Sequence, residues 1–399
     1  MPDGTEICIV GAGAAGLSLA YWLCAPAAGR TPPTVTLIDA PPGPARPPER
    51  TWCFWEPAHG AFDPALTASW DTLRVRAPDG TPLIGSPAPL RYKMLRSTDF
   101  ETLVDERLRR RPGLRRVEAT VHTVQDLRHG ALVRGVTARG EELTLPSRWV
   151  FDSRPPHRPP AGRTALLQHF RGWFIRTPEP VFDTRTADLM DFRTPRPPHG
   201  LSFGYILPFS PYEALVEYTE FSSAVLDDHG YERALRHYTG QILGLDRFEI
   251  TGTEQGVIPM TDARFPRRAG GSVFRIGTAG GATRPSTGYT FAAVQRQTRA
   301  VAARLRRGGV PVPPAAHSRR SLAMDAVLLR ALDTGRVDGA RLLTGLFRHV
   351  PTERLLRFLD GATRWDEDLA IGLRTPVRPM LRTAVELPWL PRRARPARP

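Results

Sequence analysis

The stretch Ile7-Cys8-Ile9-Val10-Gly11-Ala12-Gly13-Ala14-Ala15-Gly16-Leu17 decides the fold. A short, mostly β-branched apolar run leads straight into G-x-G-x-x-G. Leu17-Ser18-Leu19-Ala20-Tyr21-Trp22-Leu23 then continues with the apolar recurrence of a helix. Gly11 permits the tight turn, and Gly13 lets the backbone approach a pyrophosphate. Gly16 lets helix and strand pack closely. The helix N-terminus, opened by Ala14 and Ala15, faces the phosphate charge. A second strand, Val35-Thr36-Leu37-Ile38, ends at Asp39, 23 residues after Gly16. An acid there meets the ribose hydroxyls of an adenine dinucleotide. Strand, glycines, helix, strand and acid in that order predict a Rossmann-type dinucleotide site. The motif alone leaves FAD and NAD both open.

The 399 residues are enough to bury a large core and to divide into two domains or more. Cys8, Cys24 and Cys53 have no metal-ligand spacing and are too few for a disulfide scaffold, so a reducing cytosol is expected. Cys8, inside the first strand, reads as a small buried hydrophobe. Net charge is +15 with Lys93 as the only lysine, so arginine carries nearly all of the basic excess. A basic face is drawn to anionic lipid or nucleic acid, and no nucleic-acid-binding motif accompanies it, so lipid is favoured. No apolar run is long enough to span a bilayer, and the early first strand leaves no room for a signal peptide. The expected protein is soluble or peripheral, in the cytoplasm.

Past Asp39, a loop rich in proline and glycine delivers Arg50-Thr51-Trp52-Cys53-Phe54-Trp55-Glu56, read either as a core corner or as an aromatic wall beside the cofactor. Short strands from Leu73 to Met94 predict a hairpin excursion, and a helix capped by Ser97 or Thr98 follows. Strands are expected over Val117 to Val124, Ala131 to Val136 and Arg148 to Ser153. Leu201 to Pro208 and Glu213 to Thr219 read as adjacent antiparallel strands joined by Phe209 to Tyr212. Ser272 to Gly277 runs into a second glycine turn, Thr278-Ala279-Gly280-Gly281, and a helix from Thr290 to Arg306. Beyond Ser318 the pattern turns helical: Leu322, Val327, Leu328, Leu332, Leu342, Leu346, Leu355 and Leu359 recur at three- and four-residue spacing. They read as core-facing stripes or as a membrane-facing patch rimmed by arginine.

Several stretches resemble the lycopene β-cyclases, flavin-dependent carotenoid ring-forming enzymes. Ile276-Gly277-Thr278-Ala279-Gly280-Gly281-Ala282-Thr283-Arg284-Pro285-Ser286-Thr287-Gly288-Tyr289 is similar to that family's glycine turn followed by Pro-Ser-Thr-Gly-Tyr. Met190-Asp191-Phe192-Arg193 resembles its Met-Asp-aromatic-Arg motif, and Leu215-Val216-Glu217-Tyr218-Thr219 its glutamate- and threonine-containing motif. Glu254-Gln255-Gly256-Val257-Ile258-Pro259-Met260 and Met324-Asp325 also resemble family segments. The matches run in order from residue 7 to about 360. Two departures stand out. Tyr218 replaces a second acid common in relatives, so a carboxylate there is not essential in this chain unless Glu220 substitutes for it. Asp152-Ser153-Arg154 stands where such flavoproteins often carry a small residue and a glycine.

The resemblance implies an α/β architecture like that of flavoprotein monooxygenases. A Rossmann-type FAD-binding domain would take residues 1–70, 96–155 and 255–310, and an antiparallel β-sheet substrate domain 71–95 and 156–254. A C-terminal helical, membrane-facing region would take 311–390, and a basic disordered tail 391–399. It implies reduced FAD, with NADPH or NADH as reductant, bound by Gly11, Gly13, Ala14, Ala15, Gly16, Asp39, Gly277, Gly280, Gly281, Ser286, Thr287 and Gly288. No metal is expected. Lycopene and γ-carotene would be substrates, a membrane surface the partner and other carotenoid enzymes possible neighbours. Cyclisation moves protons but no net electrons. An alkene is a very weak base, so a carboxylic acid kept protonated in a dry site is needed, and Glu217 on an apolar strand qualifies. Asp191 and Arg193 are catalytic candidates that share a strand face and can pair. Trp52, Phe54, Trp55, Trp173, Phe203, Tyr205 and Tyr289 are candidates for π-faces around a carbocation. The competing reading is a redox FAD-dependent hydroxylase or prenyl-chain reductase of the same superfamily.

Overall fold

The computed structural model describes residues 5–24, 33–43, 46–109, 113–156, 160–197 and 200–394. The opening motif folds as read. Thr5–Val10 forms a strand, the chain turns through Gly11 to Gly13, and Ala14–Leu23 is a helix. Thr5–Val10 pairs in parallel with Val35–Asp39 on one side and with Glu142–Asp152 on the other. Val273–Arg275 joins beyond Glu142–Asp152, and Leu114–Leu127 beyond Val35–Asp39. The second half of Leu114–Leu127 and the first half of Glu142–Asp152 pair antiparallel with Gly130–Thr137, so a three-stranded meander grows out of the parallel sheet. Alternation divides the first strand between two cores. Ile7 and Ile9 meet the helices Ala14–Leu23, Ser97–Arg109 and Phe291–Arg306, while Cys8 and Val10 pack with Val121 and Val133 of the meander. Burial in that apolar layer pushes the Cys8 thiol up to about 12, in keeping with a packing role. Ser97 does not cap its helix: its hydroxyl accepts the Arg50 N–H at 3.0 Å.

A second sheet has seven strands in the order Glu249–Thr261, Ala165–Arg176, Glu213–Ser222, Leu201–Pro208, Thr186–Asp191, Thr72–Arg76 and Pro82–Gly85. All neighbours are antiparallel except Thr186–Asp191 with Thr72–Arg76. The expected boundary at residue 255 falls inside Glu249–Thr261, because that strand's full length pairs with Ala165–Arg176. A third sheet of Thr51–Pro57, Leu90–Arg96 and Leu66–Trp70 lies between the other two.

Five helices from Arg319–Asp333 to Val377–Glu386 close one face of the second sheet. Leu332, Leu342, Leu346, Leu355 and Leu359 are buried among Leu189, Leu201 and Phe203. Most of the recurring leucines are therefore core, because the sheet offers an apolar face that only they cover. The helix Asp228–His237 covers the other face, with Tyr231, Leu235 and Tyr238 against Trp173, Ile175 and Val216. The first residues of the tail are held rather than disordered. Arg393 exchanges backbone hydrogen bonds with Gly162 at 2.8 and 3.1 Å, and Arg392 donates to the Asp262 carbonyl at 3.1 Å. Residues 395–399 of that tail lie outside the described residues.

Candidate active site

The two glycine turns meet at the C-terminal ends of the parallel strands. Gly11 has φ +93°, and a Cβ on Gly16 would collide with the Gly11 carbonyl oxygen, so helix and turn reach their observed distance only without that carbon. A Cβ built on Gly13 meets nothing within 4 Å, so the space in front of the helix is open. No side chain caps that helix, which leaves the N–H groups of Ala14 and Ala15 directed at this space. Asp39 accepts the Ala12 N–H at 3.2 Å, which ties the acid to the turn. Arg116 and Arg46 stand 3.4 and 3.6 Å from its other oxygen. Gly277, at φ +65°, brings the second turn against the first, where an added Cβ would lie only 2.8 Å from Ala15 Cβ. Gly280 packs on the Arg275 carbonyl, and Gly281 ends the turn in the left-handed region. These residues suit an adenine dinucleotide: an open floor of amides, an acid beside it, and backbone at closest approach. At the departure Asp152-Ser153-Arg154, Ser153 Oγ donates to the Val10 carbonyl at 2.8 Å, and Arg154 folds back on Asp152 at 2.8 Å.

Ser286, Thr287 and Gly288 are held by the C-terminal helices and the second sheet. Ser286 Oγ donates to Asp325 at 2.7 Å, Thr287 Oγ1 reaches the Leu359 carbonyl at 3.5 Å, and Gly288 abuts the Gln168 side chain. Arg284 Nε lies 3.0 Å from the other Asp325 oxygen, both groups almost fully buried. Burial raises the Asp325 carboxyl to about 6 against the opposing pull of Arg284. The two hydroxyls and the ion pair thus clamp the loop onto the C-terminal helices, and the clamp presents Tyr289.

Four adjacent strands of the second sheet place Tyr205, Glu217, Gly172 and Glu254 side by side on one face. Gly172 carries no side chain between the two acids; a Cβ there would lie 3.5 Å from Glu217 Cβ and 3.5 Å from Glu254 Cγ. Glu217 is 7% exposed and accepts the Thr219 hydroxyl at 2.5 Å. Desolvation, reinforced by the neighbouring Glu254 charge, raises its carboxyl to about 8. Glu254 is raised as well, by burial, against the hydrogen bond from Thr51 (2.6 Å) and the charges of Arg50 and Arg96.

The third sheet faces this row. Tyr92 hydroxyl lies 2.5 Å from that of Tyr205 and 3.2 Å from that of Tyr289, and Trp55 meets Tyr289 edge-on at 4.5 Å. The strand Thr51–Pro57 divides its residues by alternation. Thr51, Cys53 and Trp55 turn to the glutamates, whereas Trp52 and Phe54 pack on Phe291 at 5.6 and 4.7 Å, in the other core. Trp52 and Phe54 thus form the core corner, whereas Cys53 and Trp55 face the glutamate row. Trp173 is on the far face with Tyr218, so of the seven aromatic candidates Trp52, Phe54 and Trp173 do not line the site.

Asp191 and Arg193 pair, at 2.5 Å, but away from Glu217. Asp191 also accepts the Tyr238 hydroxyl at 3.1 Å, on the face covered by the helix Asp228–His237. Their position is that of a structural pair. Glu220 is on that far face too, accepting from Tyr218 at 3.1 Å, so it does not stand in for the missing second acid. The second carboxylate on the face of Glu217 is Glu254, two strands away. Sequence reading quoted its segment without a role for it; nothing local reveals that Gly172 bridges residues 217 and 254.

Comparison with known proteins follows the same lines. The lycopene cyclase protein family matches residues 6–385. A lycopene beta-cyclase from Paracoccus sp. (strain N81106 / MBIC 01143) is 27% identical over 334 residues, 79% of this chain and 78% of that one. Among solved structures, a flavoprotein/dehydrogenase from Cytophaga hutchinsonii superposes with TM-score 0.64 at 13% identity, covering 96% of this chain and 99% of its own. A geranylgeranyl bacteriochlorophyll reductase-like protein from Thermoplasma acidophilum gives 0.62 at 11%, covering 96% and 99%. These structures share the fold, that of reductase- and monooxygenase-like flavoproteins.

Proposed function

We propose, for a chain that belongs to the lycopene cyclase family, a proton-transfer cyclisation of lycopene ends to β-rings with Glu217 as the donor. The observation that carries this reading is a buried carboxyl raised to about 8, set in a row with Tyr205 and Glu254 beneath Tyr92, Tyr289 and Trp55. Such a group is protonated at neutral pH and ready to give its proton to a weak base. Glu217 protonates C2 of the terminal C1=C2 bond, leaving the cation at C1. The C5=C6 pair attacks it, forming the C1–C6 bond and moving the cation to C5. Loss of the C6 proton restores a C5=C6 bond and closes a β-ring. One round converts lycopene to γ-carotene, and a second gives β-carotene.

Glu254 lies near the same face as a further carboxylate, and the ring faces of Tyr289, Tyr205 and Trp55 oppose the developing charge. The Tyr205 and Tyr289 phenols each hydrogen-bond the Tyr92 hydroxyl between them, so no free water need be retained there. FAD would be held by Gly11, Gly13, Ala14, Ala15, Gly16 and Gly277 with Asp39 at its ribose. Bound in its reduced form, with NADPH or NADH as the source of electrons, it supplies negative charge. Because the substrate is a hydrocarbon that partitions into lipid, the enzyme works at a membrane surface, where other carotenoid enzymes handle the same pool.

Expression in a lycopene-accumulating host tests the activity: β-carotene or γ-carotene is expected, and unchanged lycopene would overturn the reading. A redox flavoprotein would consume one reductant per product. Turnover with chemically reduced flavin and no further reductant use separates the two.

A further inference from the structure

Trp365, Leu369, Leu373, Val377, Leu381, Val385 and Trp389 recur every four residues along the last two helices and the short turn after them. Within each helix residues four apart share a face, and all seven positions are exposed. Trp389 is 86% exposed, Val385 71% and Trp365 66%. The opposite faces are occupied: Ile371 and Met380 enter the core that contains Tyr205 and Tyr289, and Leu387 is buried. The stripe is therefore surplus to folding. Isolated exposed apolar residues need no explanation, but seven large ones at a regular four-residue interval do.

Charge lies along the same ridge. Arg374, Arg378 and Arg382 are exposed and make no ion pair among the described residues. The acids from Trp365 to Trp389 are all engaged elsewhere: Asp366 by Arg364, Glu367 by Arg357, Asp368 by Arg320, and Glu386 by Arg330 and Arg336. No described helix is long and apolar enough to cross a membrane. A ridge of apolar side chains with tryptophan at both ends and unpaired arginines beside it matches a lipid headgroup boundary.

We propose that residues 365–389 form the surface by which this protein docks on an anionic bilayer, lying in one leaflet's interface. The proposal rests on the lycopene reading for its purpose, since it sets the lipid beside the apolar core that holds the glutamate row. A second copy of the chain fits the ridge less well. A two-fold contact centred on Arg378 would bring Arg374, Arg378 and Arg382 of both copies together, with no acid between Leu373 and Val385 to separate them.

Flotation of the full chain with vesicles of phosphatidylcholine and phosphatidylglycerol tests this. The parent floats with those vesicles and far less with phosphatidylcholine alone. Trp365→Ser with Leu381→Ser and Trp389→Ser, all exposed positions, should lower the bound fraction by roughly tenfold or more. Arg374→Ser with Arg378→Ser and Arg382→Ser should remove the preference for anionic vesicles. The serine variants should still cyclise lycopene dispersed in detergent while losing activity on vesicle-borne lycopene. Equal flotation of parent and variants overturns the proposal. So does light scattering in which the apolar variants turn a dimer into a monomer while vesicle binding stays unchanged. Flotation needs no turnover, so failure there leaves the cyclase reading intact, and failure to make rings leaves the flotation result standing.

Discussion

Glu217 and Glu254 flank a glycine, and removing either should have a different signature. Glu217→Gln should abolish ring formation while flavin remains bound, checked by pigment analysis together with flavin absorbance of the purified protein. Activity requires the protonated acid, so in the parent it should fall as pH rises through about 8. Glu254→Gln removes the adjacent charge, leaving Arg50, Arg96 and Thr51 around the amide, and the fall should move to lower pH. A pH–rate profile reads that displacement; an unmoved limb would show that Glu254 does not act on Glu217. The same shift has a stability sign. Glu217's folded value is raised above its unfolded one, so the folded state holds the extra proton between about 4.5 and 8 and stability falls with rising pH across that window. Above it, Glu217→Gln should be more stable than the parent by on the order of a few kcal/mol, measured by denaturant unfolding at two pH values.

At the level of elements, two segments join the cofactor side to the second sheet. The strand Thr51–Pro57 gives alternate side chains to each core, and the loop from Arg284 to Tyr289 is clamped by Asp325. Asp325→Asn should leave Arg284 buried without its counter-charge and cost about 3 kcal/mol or more, seen as a lowered denaturant midpoint. Arg284→Met combined with Asp325→Leu should recover much of that loss, because both desolvated charges go together. In the first turn, Gly16→Val should remove dinucleotide binding, since the added carbons meet the Gly11 carbonyl rather than a movable side chain. Equilibrium dialysis with FAD measures it.

Over the whole molecule, the C-terminal helices have two jobs. Their inner faces close the second sheet, and Glu386 and Asp368 tie them down through Arg330, Arg336 and Arg320. Deleting residues 365–399 would strip those ion pairs and uncover the helix Arg319–Asp333, which packs on Val377–Glu386. The truncated chain should lose solubility and unfold at lower temperature in a thermal scan, whereas serine at the exposed ridge positions should leave the midpoint nearly unchanged. That contrast assigns stability to the inner face and lipid binding to the outer one.

Sequence alone was enough for the dinucleotide-type fold and the family, and it singled out Glu217 as the candidate donor. Each rests on contiguous residues: strand, glycines and acid in order, or a motif within a single strand. Strand periodicity also assigned faces within one segment, as for Thr51 to Glu56, without saying what each face would meet. Tertiary structure alone decided the rest. Glu254 reaches Glu217 across a strand that intervenes between them, and Gly172 makes room for both. Asp191 and Arg193 pair as their spacing allows, yet on the wrong side of the sheet for Glu217. The leucines before residue 360 found an apolar sheet to cover, while the stripe beyond it found none. Spacing fixes which side chains share a face; only packing against the remainder of the chain fixes whether that face ends in a core, a site or water.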